Sequence, residues 1–375
     1  MSDADRQCCF VSSEIYRQTG YRGNHPLAIQ RVGTVLTLCE QLGWLAGTGE
    51  GGYVNSPQAT VEQLCRFHRR DYVEALQAAE LNGAVPAEVR RKYHIGTMEN
   101  PIFPGLFRRA STSVGGSIRA SELAAKGKIA YHPSGGTHHG MAGRASGFCF
   151  FNDPVFSVLT FLELGFDRVL YVDLDAHHGD GVEAAFKDDG RVLLMSVHEE
   201  DRWPHSGGLS DRSTGNARNM PVPSGFNDSE LDYLIANAIL PLARNFRPDA
   251  VVITCGADGL AGDPLSTMAL SNGCLWDAVM ALCAFGLPTV VLGGGGYNPW
   301  TVARCWTGLW GRLSGHRITP ALPAESRALL ESLDCDLVDE DERSPSWTTT
   351  LIDPRNSGAV RPRITEIANA VTAAQ

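Results

Sequence analysis

The sequence predicts a single α/β domain in three layers, with helices on both faces of a central, mostly parallel sheet. Short runs that are apolar throughout alternate with longer stretches whose apolar residues recur at helical spacing. Strands that are apolar at every position are typical of parallel sheets buried on both faces. Polar residues cluster directly after these strands, at the edge where open α/β sheets bind their ligands.

The strands and helices follow from these patterns in chain order. The predicted strands are 129–131, 169–174, 192–197, 250–254 and 289–292. The predicted helices are 27–46, 117–126, 154–165, 181–187, 229–245, 274–285 and 300–313, with an amphipathic helix at 362–374 near the end of the chain. Asn227, Asp228 or Ser229 would cap the helix predicted at 229–245.

The alternating pattern places the main domain at residues 1–316. Residues 317–375, with an acidic and polar stretch at 334–343, are interpreted as a C-terminal extension that packs on the same domain or trails from it. Apolar residues make up 43% of the 375-residue chain and charged residues 20%, which is enough for a large core without disulfides.

Charge and cysteine content narrow the class of protein. The net charge of −10, with no basic stretch, argues against a nucleic-acid partner. No apolar run approaches the ~20 residues needed to cross a bilayer, so we expect no membrane partner. The ten cysteines include no Cys-x-x-Cys pair, and residues 1–6 are not followed by the apolar run of a signal peptide. We therefore expect a cytoplasmic protein with reduced thiols.

A metal site is the first chemical prediction. Asp175 and His177 follow one predicted strand, and Asp258 follows another. In extended chain alternate residues share a side, so Asp175 and His177 can reach one ion. Three protein ligands with an open position are typical of catalytic zinc, although nitrogen and oxygen donors also accept Fe²⁺, Mn²⁺ or Co²⁺. Alternatively, each aspartate taken singly could cap the helix that follows it.

The pair His138-His139 lies in a glycine-rich loop after the strand at 129–131. Imidazole suits a general base near neutral pH, and its second nitrogen needs an acceptor that fixes the tautomer. Asp173 and Asp180 are suitable carboxylates for that purpose. The alternative interpretation is an ordinary surface His-His dipeptide.

Tyr297 follows four glycines, 293–296, after the strand at 289–292. A phenol there could donate to a developing oxyanion. Four glycines could also cradle a phosphate. However, Pro299 stands where a Lys-Ser/Thr pair would be needed, so a P-loop is disfavoured.

Together these motifs resemble the histone deacetylase superfamily, most closely its bacterial acetoin-utilization-type and acetylpolyamine amidohydrolase-like members. The motifs occur in family order and with family spacing, and the resemblance covers residues 10–315. They are His138-His139 and the segments 145–153, 173–181, 255–258 and 293–297. The resemblance implies an arginase-like fold with a sheet of about eight strands, and a deacetylase catalytic domain at 1–316.

The resemblance also implies a role for each site residue. Zn²⁺ would be bound by Asp175, His177 and Asp258. His139 would be the general base and then the acid, with His138 assisting electrostatically. Asp173 and Asp180 would orient the two histidines, and Tyr297 would bind the acetyl carbonyl. A structural K⁺ would be held by Asp173, Asp175, His177, Ser196 and Val197.

For the substrate, the resemblance implies a narrow tunnel. Phe148 and Trp203 would form its walls, with Gly147 beside them and Leu265 at the rim. Glu99 would be an acid at the rim that grips the substrate backbone. Taken without the resemblance, Phe148 and Trp203 would be interpreted as core aromatics. The chain departs from the nuclear members, which usually carry Phe at the position of Trp203 and Arg at that of Pro264. The missing Arg belongs to a corepressor surface, so we do not expect corepressor recruitment.

The predicted function is a zinc-dependent amidohydrolase that removes acetyl groups from acetyl-lysine side chains of proteins or peptides. One alternative is a deacetylase of small acetylated amines such as acetylpolyamines. Another is a non-catalytic, metal-stabilised module that binds acyl-lysine, and a third is a two-metal ureohydrolase of the arginase type. The sequence is also compatible with a homo-oligomer.

Overall fold

The computed structural model describes residues 7–45 and 52–373. Residues 1–6, on which the expectation of no signal peptide partly rests, lie outside these ranges, as does residue 46 at the end of the predicted helix 27–46. The described strands are β1 (Cys8–Ser12), β2 (Tyr53–Asn55), β3 (Ile129–His132), β4 (Val169–Asp173), β5 (Val192–Glu199), β6 (Ala217–Val222), β7 (Ala250–Thr254) and β8 (Thr289–Leu292).

Helices connect and cover the strands. The described α-helices are α1 (Val32–Gln41), α2 (Val61–Leu64), α3 (Arg70–Asn82), α4 (Ala87–Tyr93), α5 (Leu106–Ala124), α6 (Asp153–Glu163), α7 (Asp180–Phe186), α8 (Asp228–Leu234), α9 (Leu240–Phe246), α10 (Asn272–Cys283), α11 (Pro299–Leu313), α12 (Ala324–Glu331), α13 (Ser346–Thr349) and α14 (Pro362–Thr372). No helix in the described ranges is both long and apolar enough to cross a membrane. All ten cysteines are described, and no disulfide joins them.

The eight strands form one sheet in the order β2-β1-β3-β8-β7-β4-β5-β6, and every neighbouring pair is parallel. The predicted α/β fold with a sheet of about eight strands is therefore confirmed. Three strands were not predicted from sequence, namely β1, β2 and β6. β2 has only three residues, and β6 contains Arg218, Asn219 and Pro221, so neither has a continuous apolar pattern.

The central strands end flush at one edge. Asp173 at the end of β4 pairs in register with Ser196 of β5 on one side and Thr254 of β7 on the other. Thr254 pairs with Leu292 of β8, which in turn pairs with His132 of β3. Four of these strands, β3, β8, β7 and β4, therefore end in one row, while β5 runs three residues further, to Glu199.

Helix α5 differs most from its prediction, because it begins at Leu106 rather than at residue 117. Its first half contains serine, threonine and the pair Gly115-Gly116, which are weak helix formers. Close packing explains the glycines. A Cβ at Gly115 would lie 2.0 Å from the Pro57 carbonyl oxygen, and one at Gly116 would lie 2.5 Å from the His132 ring.

The helix predicted at 229–245 is present but contains a π-helical segment, Ile235–Ile239, between α8 and α9. Pro241 lacks the N–H that would continue the regular ladder, and a π turn is a common adjustment near such a break. Of the three candidate caps, Asn227 is the cap. Its side chain accepts a hydrogen bond from the Glu230 N–H, and the Glu230 side chain accepts one from the Asn227 N–H.

Residues 317–373 pack on the main core in this structure. Buried side chains of this segment join the largest apolar cluster, among them Leu330, Trp347 and Ile367. The indole of Trp300 in α11 donates to the Leu330 carbonyl at 2.8 Å. The predicted domain boundary at residue 316 stays a prediction.

Arg304 of α11 is one of the polar links between the core and this segment. It is fully buried, and it donates to the Thr350 carbonyl at 2.6 Å and to Asp353 at 2.5 Å. We expect Arg304→Met to lower the free energy of unfolding by about 3 kcal/mol, because Asp353 loses its partner. Denaturant unfolding measures this. As a control, Arg312→Ala removes an exposed pair with Asp277 and should cost less than about 1 kcal/mol. Equal losses of unfolding free energy in Arg304→Met and Arg312→Ala would contradict the prediction.

Candidate metal centre and active site

The structure brings the three predicted metal ligands together. Asp175 and His177 follow β4, Asp258 follows the adjacent β7, and all three are buried. One ligand atom from each lies within 4.8 Å of the others. Nδ1 of His177 is 2.9 Å from Oδ2 of Asp258 and 3.3 Å from Oδ1 of Asp175. Two carboxylates and an imidazole at this spacing form a donor set that suits a divalent cation.

The electrostatics of this group also fit a cation. Burial and the charge of Asp175 raise the pKa of Asp258. Burial opposes protonation of His177, but hydrogen bonds to the two carboxylates raise its pKa to about 10. Two buried carboxylates side by side thus require positive charge near them, which is the role a divalent ion fills.

Glycines let the backbone approach these carboxylates closely. A Cβ at Gly256 would lie 2.4 Å from Asp175 Oδ2, and one at Gly295 would lie 2.1 Å from Asp258 Oδ2. The Gly295 N–H donates to Asp175 at 2.5 Å. The four-glycine segment after β8 therefore forms a wall of the candidate metal centre, and no phosphate is needed to explain it.

Each histidine of the tandem pair bonds to its own carboxylate. Nδ1 of His138 is 2.8 Å from Asp173, and Nδ1 of His139 is 2.8 Å from Asp180. Burial opposes protonation of His138, but the charge of Asp173 raises its pKa to about 9. Burial and the positive charge of His138 lower the pKa of His139 to about 3. At neutral pH one ring is therefore cationic, and its neighbour is a neutral base.

Asp153 fixes the loop that carries these histidines, and sequence reasoning did not single it out. Its fully buried carboxylate accepts from the N–H groups of Gly136 and Thr137 at 3.0 and 2.8 Å. It also accepts from Ser117 of α5 at 2.6 Å. An aspartate that opens a helix looks like an ordinary end residue in the sequence. Only the fold shows that this one points back to the loop.

Tyr297 lies beside the candidate metal centre, with its ring centroid 6.4 Å from that of His177. Burial raises the pKa of its hydroxyl well above the ordinary value, so the group stays a hydrogen-bond donor.

Asp263, another residue that sequence reasoning missed, accepts from the Tyr297 N–H at 2.7 Å and from the Leu265 N–H at 2.9 Å. The only local signal was the turn-like Gly262-Asp263-Pro264.

A cavity of about 620 Å³ opens on this centre. Every predicted substrate-binding residue lines it, together with three members of the centre: Glu99, His139, Gly147, Phe148, His177, Trp203, Leu265 and Tyr297. The interpretation of Phe148 and Trp203 as core aromatics is not supported, since both face the cavity and 37% of Trp203 is exposed.

Backbone conformation at Gly147 and Phe148 shapes one wall of the cavity. Both residues are left-handed, with φ of 54° and 65°. A Cβ at Gly147 would lie 2.4 Å from the Trp203 ring, so only glycine allows this approach. Glu99 supports the turn, because its carboxylate accepts from the Gly147 N–H at 2.8 Å. Its predicted role in gripping a substrate backbone stays a prediction.

The residues predicted to hold K⁺ lie together behind the candidate metal centre. Asp173 and Ser196 are neighbours across β4 and β5, and Val197 follows in β5. Asp173 Oδ1 accepts from the Asp175 N–H at 3.1 Å. The Ser196 hydroxyl is 2.9 Å from Nδ1 of His198, so this side chain already has a polar partner.

Sequence reasoning also missed Arg31. It is half-buried beside Trp306, with its guanidinium carbon 4.8 Å from the ring centroid, and it donates to the Gly294 carbonyl. It lines a second, smaller cavity of about 120 Å³ that shares Phe148 with the first. Its Nε has no hydrogen-bond partner among the described residues. An isolated arginine in the loop before α1 carries no sequence signal for this position.

Comparisons with known proteins agree with the geometry. The sequence profile of the histone deacetylase domain matches residues 25–313. Histone deacetylase 3 of Oryza sativa subsp. japonica is 36% identical over 327 residues, which are 85% of this chain and 63% of that protein. The chain thus spans less than two thirds of the rice protein. Acetoin utilization protein AcuC of Bacillus subtilis (strain 168) is 32% identical over 84% of this chain and 85% of that protein.

Solved structures give the same result. The crystal structure of an HDAC homologue from Aquifex aeolicus has a TM-score of 0.92 and 34% identity, over 98% of this chain and 100% of that one. An HDAC homologue complexed with SAHA has a TM-score of 0.91 at the same identity and coverage. The chain therefore belongs to the histone deacetylase family of hydrolases, as the resemblance of its motifs predicted.

Proposed function

We propose that this protein is a zinc-dependent deacetylase that removes acetyl groups from acetyl-lysine side chains of proteins or peptides. One observation carries the proposal. A buried Asp–His–Asp group and a neutral, carboxylate-paired histidine meet at the base of an aromatic cavity. A divalent ion, a general base and a slender channel are together what hydrolysis of an acylated amine needs.

Asp175, His177 and Asp258 would hold the Zn²⁺. When bound, zinc polarises a carbonyl and lowers the pKa of water to near neutral. We include a structural K⁺ in the proposal, held by Asp173, Asp175, His177, Ser196 and Val197. The pairing of Asp173, at the end of β4, with Ser196 of β5 supports that position.

The protein residues would move the protons. His139 takes a proton from the attacking water, while Asp180 holds the proton on the other ring nitrogen. The hydroxyl of Tyr297 donates to the carbonyl oxygen as that oxygen becomes negative. His139 then returns its proton to the amine nitrogen, and the C–N bond breaks to give acetate and a free amine. His138 stays protonated beside Asp173 and adds positive charge near the oxyanion.

The aromatic lining of the cavity favours a substrate with an aliphatic chain. Phe148 and Trp203 would enclose an aliphatic chain, and Leu265 and Glu99 would contact the part that emerges. SAHA, in the complex of the related HDAC homologue, supports a ligand of this kind. A cytoplasmic location is part of the proposal and rests on the ten cysteines without disulfides. The main domain at 1–316 and a homo-oligomer also stay proposals.

Small acetylated amines are the second candidate substrates, and one observation favours them. More acidic than basic side chains line the cavity, with Glu99, Glu199, Glu200 and Asp201 against Arg202, although Glu200 is paired with Arg363. A cationic polyamine would be attracted there. A non-catalytic binding module is disfavoured, because binding alone does not require His139, Asp180 and Tyr297 together.

The deciding experiment assays the purified protein, loaded with zinc, on acetyl-lysine peptides and on acetylated polyamines. We expect turnover of the peptides and its loss with a chelator, restored by added zinc. Faster turnover of the polyamines would select the second candidate. If neither amide is hydrolysed, the proposed function is wrong.

Tyr297→Phe tests the oxyanion donor. We expect turnover to fall by ~10² or more, because one hydrogen bond made in the transition state is lost. Zinc content, measured by elemental analysis, should be unchanged. Tyr233→Phe, on α8 and not among the residues lining the cavity, is the control and should retain activity. Near-normal turnover of Tyr297→Phe would remove this residue from the mechanism.

Asp258→Asn tests the metal ligands without an activity assay. A ligand that binds the folded state raises the melting temperature, so zinc should stabilise the wild-type protein. The variant should show no zinc-dependent shift in differential scanning calorimetry. Without metal it should unfold at the same temperature as the wild type or higher, because the repulsion between two buried carboxylates is gone. Asp277→Asn, an exposed control, should respond like the wild type. An unchanged zinc shift in Asp258→Asn would contradict the assignment.

A further inference from the structure

An ion pair in the wall of the cavity has no part in the mechanism above. β5 ends at Glu199, and the chain then runs along the cavity to Trp203. Glu199 is only 6% exposed. Arg202 grips its carboxylate with two parallel bonds, from Nε at 2.5 Å and from Nη2 at 2.9 Å. This two-pronged geometry is among the strongest and most directional in proteins.

The same pair also forms hydrogen bonds with a second segment, residues 265–267, which follows β7. Arg202 Nη1 donates to the Leu265 carbonyl at 2.8 Å. Glu199 accepts from the Thr267 N–H at 2.9 Å and from the Ser266 hydroxyl at 3.1 Å. The Thr267 hydroxyl donates to it as well. One ion pair thus ties two loops from different strands to each other.

Both loops carry a wall of the cavity, and both are anchored to the candidate metal centre. The Trp203 ring lies against His139, with centroids 4.6 Å apart. The Glu199 N–H donates to the carbonyl of Ala176, between two of the metal ligands, at 2.9 Å. Leu265 is fixed through Asp263, which also holds Tyr297. The position of each wall is therefore set relative to the reacting groups.

Stability alone is a weak explanation for this arrangement. Removing a carboxylate and a guanidinium from water is costly, and an apolar pair of similar volume often stabilises a fold at least as well. An ion pair differs from an apolar contact in fixing direction and distance. That property matters where two walls must keep a constant separation.

We propose that Glu199 and Arg202 are positioning residues that set the separation of Trp203 from Leu265, and so make the cavity selective for slender acylated chains. This inference rests on the proposed function. Because the walls are already fixed, binding of a chain would cost little free energy for ordering them. Loosened walls would bind a long chain less tightly, while a ligand that reaches only the metal would not respond.

Two hydroxamates of different length test this on the zinc-loaded protein by isothermal titration calorimetry. Acetohydroxamate reaches only the candidate metal centre, and a linear aliphatic hydroxamate such as SAHA also contacts the walls. We expect Arg202→Ala to weaken binding of the long ligand about tenfold, as for a lost charge-assisted bond, and to leave the short one unchanged. In turnover, KM for an acetyl-lysine peptide should rise, while kcat stays the same.

Further variants distinguish an effect on the cavity walls from a general loss of structure. Arg202→Lys keeps the charge without the two parallel bonds and should fall between wild type and Arg202→Ala. Thr267→Val removes a bond from the opposite loop and should also affect only the long ligand. Arg361→Ala is the matched control, because Arg361 grips the fully buried Glu230 with two bonds of 2.6 Å, and neither residue lines the cavity. It should lower stability and leave both affinities unchanged.

Equal weakening of both hydroxamates by Arg202→Ala would overturn the inference, because the pair would then act on the metal centre. No change in either affinity would also overturn it and leave the pair with a role in stability alone. Failure of the proposed function looks different. In that case the wild-type protein would bind both hydroxamates but hydrolyse no acetylated amine, and the ratio of the two affinities would still test the pair.

Discussion

The burial of Asp175 and Asp258 side by side is the constraint on which the rest of the site depends. Two carboxylates out of water repel each other, and their described partners include His177 and the backbone N–H groups of Ala176 and Gly295. A bound divalent ion would resolve this repulsion. The surrounding glycines follow from the same requirement, because any side chain at Gly256 or Gly295 would collide with the carboxylates.

The sheet makes this arrangement possible through its register. Four neighbouring strands, β3-β8-β7-β4, end in one row and β5 runs three residues further, and each of the five sends one part of the site from its carboxyl end. The loops contribute the histidine pair, the tyrosine, the three candidate metal ligands and the Trp203 wall. Parallel pairing fixes these distances before any side chain is placed, which explains how groups far apart in the chain meet within a few ångströms.

Local electrostatics then give two adjacent imidazoles different states. His138 and His139 are neighbours with ring centroids 3.9 Å apart, and each has a carboxylate partner. Burial and the charge on His138 lower the pKa of His139, so that a cation and a neutral base stand side by side. The walls of the cavity are held in an equally specific way, by hydrogen bonds that the carboxylates of Asp263 and Glu199 accept rather than by apolar packing alone.

The sequence by itself determined the strand and helix alternation, five of the eight strands, and the residues Asp175, His177, Asp258, His138, His139 and Tyr297 as a set, because motif and strand end coincide. It could not give β6 or the first half of α5, since neither has a continuous apolar pattern. Only the tertiary structure decided the roles of Asp153, Asp263, Arg31 and the Glu199–Arg202 pair. Their partners lie on other elements, and the sequence near each of them carries no sign of those contacts.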